Sequence, residues 1–534
     1  MNREGGGVTR GQRALYTAAF ALLFAASFEF RAGDFRFDVG AVAAWLAAAP
    51  LWLLVRGQTP GVAFRRTLLA AWLGYAGVFW WLYVVITVYG RAPAFAGVGG
   101  MLGVAAYCAL CLATLAALAA ALAPAAGRFA LLLLPAAWIL ADRVRALESL
   151  AAFPWAFLGY AAHADAPLRG LASLCGVYGL SFAYALGGVW LAERRWLLAL
   201  ALVAVTHALG WLSLPGALEP PLTPPAHAAM VQGNILQNLK WDPAYEEQNF
   251  QTQLELSRAL LSDPPDLLIW PEAAVPAFVL TPELESHFPT LEQSQREFRD
   301  PLLQLSQEHG VPLLVGALGL TPLPGHSMPA FHNSVLSISP RTGIVARRDK
   351  AVLVPFGEYV PLRSVFSSLQ GVASGLAEVG DLTPGDSVAP MPGLGRIGDA
   401  YAPAVLICYE VVYPSLVRRA VREGARLLIN PTNDAWYGKS SAPHQFLAIA
   451  QLRSAEHGLP MLRDANTGVS ALIDASGAVV RETPIFERGA LSVEVPPPRA
   501  HATPYTRVGD WPLWAGTALL LASGGRAVVG RRRR

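Results

Sequence analysis

The sequence predicts a two-part fold: a membrane α-helical bundle of about eight spans, with a layered α/β domain inserted before the last of them. Three observations lead there. Hydrophobic residues make up 54% of the 534 and charged residues only 15%, against about a quarter charged in ordinary soluble chains. The charge is uneven, since the first lysine is Lys240 and acidic residues are sparse before it. Apolar runs of spanning length fill the first part of the chain, whereas from Pro220 short β-type runs alternate with amphipathic helices. The divisions fall at 1–219 for spans one to seven, 220–500 for the α/β domain, and 501–534 for the eighth span and a basic tail.

The expected spans lie near residues 12–30, 37–55, 67–89, 93–122, 128–146, 169–191, 195–214 and 511–528. The first has no small-residue cleavage site and is followed by further spans, so it reads as a helix and not as a removed leader. Arginines set the orientation. Arg3, Arg10 and Arg13 precede the first span, Arg56, Arg65 and Arg66 lie in the second loop, Arg128 in the fourth, Arg194 and Arg195 in the sixth, and four end the chain. With eight spans all of these share one side, which predicts cytoplasmic termini and an exported α/β domain. The loop 151–160 contains Phe153, Pro154, Trp155 and Tyr160. It is too broken for a helix and too apolar for a solvated turn, which suits an interfacial anchor or a floor beneath the exported domain.

In the α/β part, strands are expected at 227–234, running out into a polar loop, at 266–270, 311–316, 333–339, 402–408 and 425–430, with further strands to about 495. Helices are expected at 245–261, 298–309 and 443–457. The Pro- and Gly-rich stretch 379–399 reads as a long loop. Four cysteines, Cys108, Cys111, Cys175 and Cys408, make no disulfide framework. The Cys108 and Cys111 pair has no histidine or second pair nearby, so it predicts packing and no metal. A dispersed net charge of +3 gives no nucleic-acid surface, and nothing calls for a metal or organic cofactor.

Three reactive residues stand where apolar strands end: Glu272, Lys350 and Cys408. Strand ends on one edge of an α/β sheet converge on a cleft. A carboxylate, an ammonium and a thiol placed together form a coherent set: Glu272 as general base and acid, Cys408 as acyl-accepting nucleophile, and Lys350 with a backbone N–H as oxyanion stabiliser.

The order Glu, Lys, Cys within Trp270, Pro271, Glu272, the run 349–361 and Cys408, Tyr409, Glu410 resembles the nitrilase superfamily of carbon–nitrogen hydrolases. The longer runs 353–361, 433–438 and 466–468, with membrane spans on both sides, are similar to those of the bacterial apolipoprotein N-acyltransferases. Val231 to Asn234, Lys240 to Pro243 and the Phe153 to Trp155 loop extend that resemblance over nearly the whole chain. It implies a nitrilase-like α-β-β-α sandwich with Glu272, Lys350 and Cys408 as catalytic triad. It also implies Glu358 and Asn333 as supporting groups, Tyr409 and Glu410 as residues shaping the pocket, and Trp241 and Trp155 as aromatics on the lipid-entry side. Three departures bear on lid packing and substrate preference but not on the triad: Gln445 and Phe446 preceded by His444 where a Gln-His pair is usual, Leu459 between Gly458 and Pro460, and Val352 after the lysine.

The implied reaction takes an acyl chain from a membrane phospholipid, phosphatidylethanolamine by resemblance, onto Cys408. The thioester then passes the chain to the α-amine of a diacylglyceryl-cysteine on an apolipoprotein. The implied location is a bacterial inner membrane with the catalytic domain periplasmic. Two alternatives stand beside it: a membrane-tethered amidase acting on a small carbon–nitrogen substrate, which has no need of the aromatic loop or the spans, and a silent lipoprotein-binding scaffold, against which the intact triad argues.

Overall fold

The computed structural model describes residues 8–532 apart from 148–151, 215–224, 276, 278–291, 324, 326–328, 361–381 and 500. The expected boundary at 219/220 and the first residues of the loop 379–399 lie outside the described residues.

Helices form over every apolar run. They are α1 (Arg10–Ala26), α2 (Gly40–Val55), α3 (Pro60–Val78), α4 (Trp81–Val84), α5 (Ala94–Ala126), α6 (Leu133–Arg145), α7 (Ala166–Ala192) and α8 (Trp196–Leu212). The run expected as one span at 67–89 is broken: α3 ends at Val78, and α4 continues as a π-turn over Val85–Tyr89, the pair lying at 58° to α3. By length and apolar composition, two helical stretches among the described residues can cross a bilayer, Ala94–Arg145 and Ala166–Ala192, or three if the bent pair is one span. The first stretch turns at Gly127, and its two parts, α5 and α6, pack on each other. The bundle is closed by α1 on α2 and α3, α3 on α5, and α2 and α8 on α7.

Between α1 and α2 a small hairpin, β1 (Phe30–Ala32) and β2 (Phe35–Phe37), reaches the other half of the chain: Gly33 N–H donates to the Lys439 carbonyl and Arg31 N–H to Ser441 Oγ.

The second half is a two-sheet sandwich. Its strands are β3 (Ala226–Gln232), β4 (Leu267–Ile269), β5 (Leu313–Thr321), β6 (Ala330–Ser339), β7 (Gly343–Asp349), β8 (Pro403–Val405), β9 (Leu427–Thr432), β10 (Met461–Ala465), β11 (Ala471–Ile473), β12 (Val479–Glu482) and β13 (Gly489–Val495). One sheet runs β13-β3-β4-β5-β6-β7 and the other β12-β11-β10-β9-β8. The period of two explains the layers. Ala228, Met230, Leu267, Ile269 and Leu314 share a core with the second sheet, while their neighbours Ala229, Val231, Leu268 and Leu313 pack outward on α10 (Glu246–Leu260) and α11 (Glu292–His309), whose Phe250, Leu254 and Leu302 meet them. The short helix α9 (Gln237–Lys240) precedes α10. On the second sheet's side lie α12 (Pro414–Arg422) and α13 (Ala442–His457).

Every side chain of α13 is buried, because the helix lies between the sandwich and α7. The seat is specific. Gly176, at φ 63°, breaks α7, and the freed Val177 N–H donates to Glu456 Oε1 at 2.7 Å. Burial raises the Glu456 carboxyl to about 7, against the opposing pull of Arg453. A Cβ at 176 would sit 2.4 Å from the Tyr505 ring, so glycine is required there. The last helix among the described residues is α14 (Trp511–Arg532), packed on α5 and α6.

Candidate active site

Each side chain of the expected cleft follows the C-terminal end of a strand, where the main chain has just left the hydrogen-bonded ladder and can turn sharply. Glu272 follows β4, Lys350 follows β7 and Cys408 follows β8; Asn433, which the sequence did not single out for the cleft, follows β9. Two of these turns are strained. Ala273 (φ 47°) and Cys408 (φ 49°) both hold left-handed conformations that disfavour a Cβ. The strand before Cys408 is shorter than expected, ending at Val405, and the residues 408–412 form a 3₁₀ turn before α12 begins. The Glu272 turn is pressed against β5 so closely that a Cβ on Gly316 would lie 2.1 Å from the Pro271 carbonyl oxygen and 2.9 Å from Glu272 Cα.

The geometry centres on the Glu272 carboxylate. Its Oε1 accepts from Lys350 Nζ at 3.0 Å and Asn333 Nδ2 at 2.7 Å, and its Oε2 accepts from the Asn433 N–H at 2.9 Å. Lys350 Nζ also donates to Glu358 Oε1 at 2.9 Å, and Asn333 Nδ2 reaches the same oxygen at 2.7 Å. The second Glu358 oxygen accepts from the Val354 N–H. Thus one ammonium and one carboxamide lie between two carboxylates. Glu272, Lys350 and Cys408 are all buried.

Burial pushes the Glu272 carboxyl up, but Lys350, then Lys240, then the hydrogen bonds from Lys350 and Asn333 outweigh it and hold the group below its ordinary value. Burial pulls Lys350 down, yet Glu272, Glu358 and the Cys408 sulfur keep it well above the usual lysine value. For Cys408, burial raises the thiol first and the Glu272 charge second, with Lys350 only partly opposing. The resting site therefore holds an ionised carboxylate, an ammonium and a protonated thiol.

Tyr409 and Glu410 have different surroundings. Tyr409 stacks on Trp155, with ring centroids 6.4 Å apart and planes at 14°. Glu410 is fully buried: its oxygens take both Arg348 Nη atoms (2.8 and 3.0 Å), the Ala351 N–H and the Ile407 N–H (2.6 Å each). It ties the residue after Lys350 to the residue before Cys408. The two tryptophans part company. Trp241 is 45% exposed at the end of α9, whereas Trp155 is 1% exposed. Trp155 Nε1 donates to Gln445 Oε1, which also receives Trp81 Nε1, so the departure at 445 and 446 sits in an aromatic wall with Tyr437 and Phe446 beneath Tyr409.

Several site groups had no role assigned from the sequence. Asn430 Nδ2 donates to the Cys408 carbonyl at 3.1 Å, and its oxygen accepts from Arg463, which pairs with Asp434 at 2.7 Å. Asn433 exchanges hydrogen bonds with Gln237 and Asn466. Lys240 Nζ donates to the Glu272 carbonyl at 2.8 Å. The runs 433–438 and 466–468 were visible as motifs, but polar residues inside apolar strands carry no sign of which partner they satisfy. Among the described residues, one group of carboxylates and histidine is close enough to share an ion, Glu29, Asp38 and His163. Glu29 is already paired with Arg31 and Arg36.

Residues 20–190 match the family model described as apolipoprotein N-acyltransferase N-terminal domain, and residues 227–505 match the carbon-nitrogen hydrolase model. Among curated relatives, a protein of Geobacter metallireducens is 35% identical over 508 residues, 90% of each chain. One of Azotobacter vinelandii is 36% identical over 506 residues (92% of this chain, 91% of the relative), and one of Vibrio vulnificus is 32% identical over 500 residues (90% and 92%). All three are named apolipoprotein N-acyltransferase. Solved structures that resemble this one include an amidase from Nesterenkonia sp., with 19% identity, 57% of this chain, 99% of that chain and a TM-score of 0.37. Another is a carbon-nitrogen hydrolase from Helicobacter pylori, with 15% identity, 55% and 92% coverage and a TM-score of 0.37.

Proposed function

The chain belongs to the apolipoprotein N-acyltransferase family, and from that premise we propose that Glu272, Lys350 and Cys408 carry the acyl transfer. The observation that supports these roles best is the pairing of an ionised Glu272, held by Lys350, Asn333 and the Asn433 N–H, with a protonated thiol at Cys408.

Because the thiol is pushed up and the carboxyl down, free thiolate is scarce, and proton transfer has to accompany attack. In the first half-reaction the Cys408 sulfur bonds to the acyl carbon of a phospholipid ester while its proton passes to Glu272. The carbonyl oxygen takes the negative charge and is met by the Lys350 ammonium, a contact whose loss typically costs about a hundredfold or more. Collapse breaks the carbon–oxygen bond, Glu272 returns the proton to the departing lysophospholipid, and a thioester remains. In the second half-reaction the α-amine of the diacylglyceryl-cysteine bonds to the same carbon and gives a proton to Glu272. The carbon–sulfur bond breaks and the proton goes to sulfur. Glu358 and Asn333 keep Lys350 aimed between the two carboxylates, and burial of the site keeps competing water away.

The donor is a membrane phospholipid, with phosphatidylethanolamine the headgroup we assign, and the acceptor is a diacylated apolipoprotein. The protein spans the bacterial inner membrane eight times, with residues 220–500 on the periplasmic face and both termini cytoplasmic. Support comes from the one-sided arginines and from helices over all eight apolar runs. Trp241, exposed at the end of α9, suits lipid entry. Trp155 and Tyr409 support the nucleophile's turn from the bundle side. The tethered-amidase alternative is not favoured, because the relatives match through both halves.

The test is the intact mass of detergent-purified protein after incubation with phosphatidylethanolamine, beside Cys408→Ala. An acyl adduct that is absent from the variant and discharged by a diacylated lipopeptide is the expected result. No adduct, with turnover of small amides instead, would overturn the reading.

A further inference from the structure

Lys240 is a buried cation that the triad mechanism does not use. It ends α9, a single turn whose other buried residue, Gln237, also reaches the Glu272 neighbourhood by accepting from Asn433 Nδ2 at 2.8 Å. The Lys240 ammonium donates to the main-chain oxygen of Glu272 at 2.8 Å, while Lys350 holds the side chain of the same residue. A lysine is rarely taken fully out of water to satisfy one carbonyl, since a neutral donor would do so at far smaller desolvation cost. The next residue, Trp241, is exposed, and the Lys240 Nζ lies 5.8 Å from its ring centroid. Behind the Glu272 turn is a small chamber lined by Lys240, Asn249, Gln253 and Asn466 among others, and both polar atoms of the fully buried Gln253 lack a partner among the described residues.

We propose that Lys240 is a positioning residue for the reaction: it ties down the peptide that carries Glu272 and supplies, through the main chain, a second positive charge to the Glu272–Cys408 pair. This rests on the reading of Glu272 as the base that deprotonates Cys408. Burial pulls Lys240 down to about 8, with Glu272 and then Cys408 as the charges that oppose the fall. The other charged groups around the pair are already matched: Lys350 with Glu272 and Glu358, and Asp434 with Arg463. Lys240 is therefore the cation of the site whose charge changes near neutral pH. Its positive charge favours the thiolate and the carboxylate below that value and is withdrawn above it.

The experiment compares the full-length wild type with Lys240→Met, Lys240→Gln and Lys240→Arg. The primary readout is the rate of Cys408 alkylation by iodoacetamide from pH 6 to 10, followed by peptide mass, which needs no substrate. The second is formation of the acyl adduct with phosphatidylethanolamine. Expected are alkylation slower by about fivefold near pH 7 in Lys240→Met and Lys240→Gln, loss in both of the inflection that the titration of Lys240 near pH 8 gives the wild type, and restoration of the pH 7 rate in Lys240→Arg. Lys240→Gln keeps a donor for the Glu272 carbonyl, so a normal profile in this variant would leave the tether and overturn the charge. Unchanged profiles in all three, or equal acceleration in all three as an unfolded site would give, overturn the proposal altogether. If wild-type protein shows the alkylation profile and no acyl adduct, the acyltransferase assignment fails while the role of Lys240 is still decided.

Discussion

Replacing Glu410 by Gln tests how the site is held together, because the change keeps shape and removes acceptors. Four donors converge on the two carboxylate oxygens: both Arg348 Nη atoms, the Ala351 N–H and the Ile407 N–H. A carboxamide has one acceptor oxygen, so its NH2 group must face one Arg348 nitrogen and one backbone N–H. Two charge-assisted hydrogen bonds are lost at about 1.5–3 kcal/mol each, giving about 3–6 kcal/mol before relaxation. Arg348 is itself buried and would be left without its counter-charge. The consequence is local as well as global, because Ala351 adjoins Lys350 and Ile407 adjoins Cys408. A displacement of about 1 Å between those two costs roughly a hundredfold in rate. Thermal unfolding in detergent and the rate of acyl-adduct formation are measured for Glu410→Gln, Arg348→Gln and the double variant. The double variant is expected to lose less than the sum of the singles, with a coupling of about 1 kcal/mol or more. A single Glu410→Gln variant that unfolds within about 1 °C of wild type and forms adduct at the wild-type rate would refute the reasoning.

Gly316→Ala places a methyl against the Pro271 and Glu272 main chain, neither of which can give way cheaply. Adduct formation is expected to fall about a hundredfold, while Gly99→Ala, where nothing lies within 4 Å, leaves it unchanged; equal rates in the two variants would show that the β5 contact does not position the base. Asn333→Ala removes one hydrogen bond from each carboxylate, and one of these helps hold Glu272 down, so the acid limb of adduct formation should move to higher pH and the rate at pH 7 should fall about tenfold. In the wild type the lowered Glu272 value predicts activity that persists below pH 6. The stability this carboxylate contributes is fully present above its unfolded value of about 4.3 and lost as pH falls through the lower folded value. A stability that instead rose on acidification through that range would contradict the ion pair with Lys350.

Much of the catalytic half was legible because its signals are local. The apolar runs of β3 and β4 predict strands, and the reactive residues fall just after β4, β7 and β8. The run before Cys408 reads as a longer strand. It ends at Val405 because a nucleophile at φ 49° needs a turn, and a turn's geometry is not written in hydropathy. The span expected at 67–89 failed as one helix for a similar reason: residues 79–89 are apolar enough to continue α3, yet the chain bends by 58° where Trp80 donates to Ser441 and Trp81 to Gln445 of the catalytic half. Trp155 illustrates the converse. Its sequence context suits an interface, and the fold buries it under Tyr409.

What the sequence determined by itself is what depends on periodicity and composition along a short stretch: the change from an apolar helical half to an α/β half, the apolar runs that become helical, and the three reactive side chains that follow strands. What the tertiary structure alone decided is which distant groups satisfy one another. Glu410 clamps the residues beside Lys350 and Cys408, Lys240 lies behind Glu272, and Glu456 caps a broken α7 at Val177. The physical reason is that a buried charge or amide must find partners wherever the fold brings them, and those partners lie up to 279 residues away in the chain.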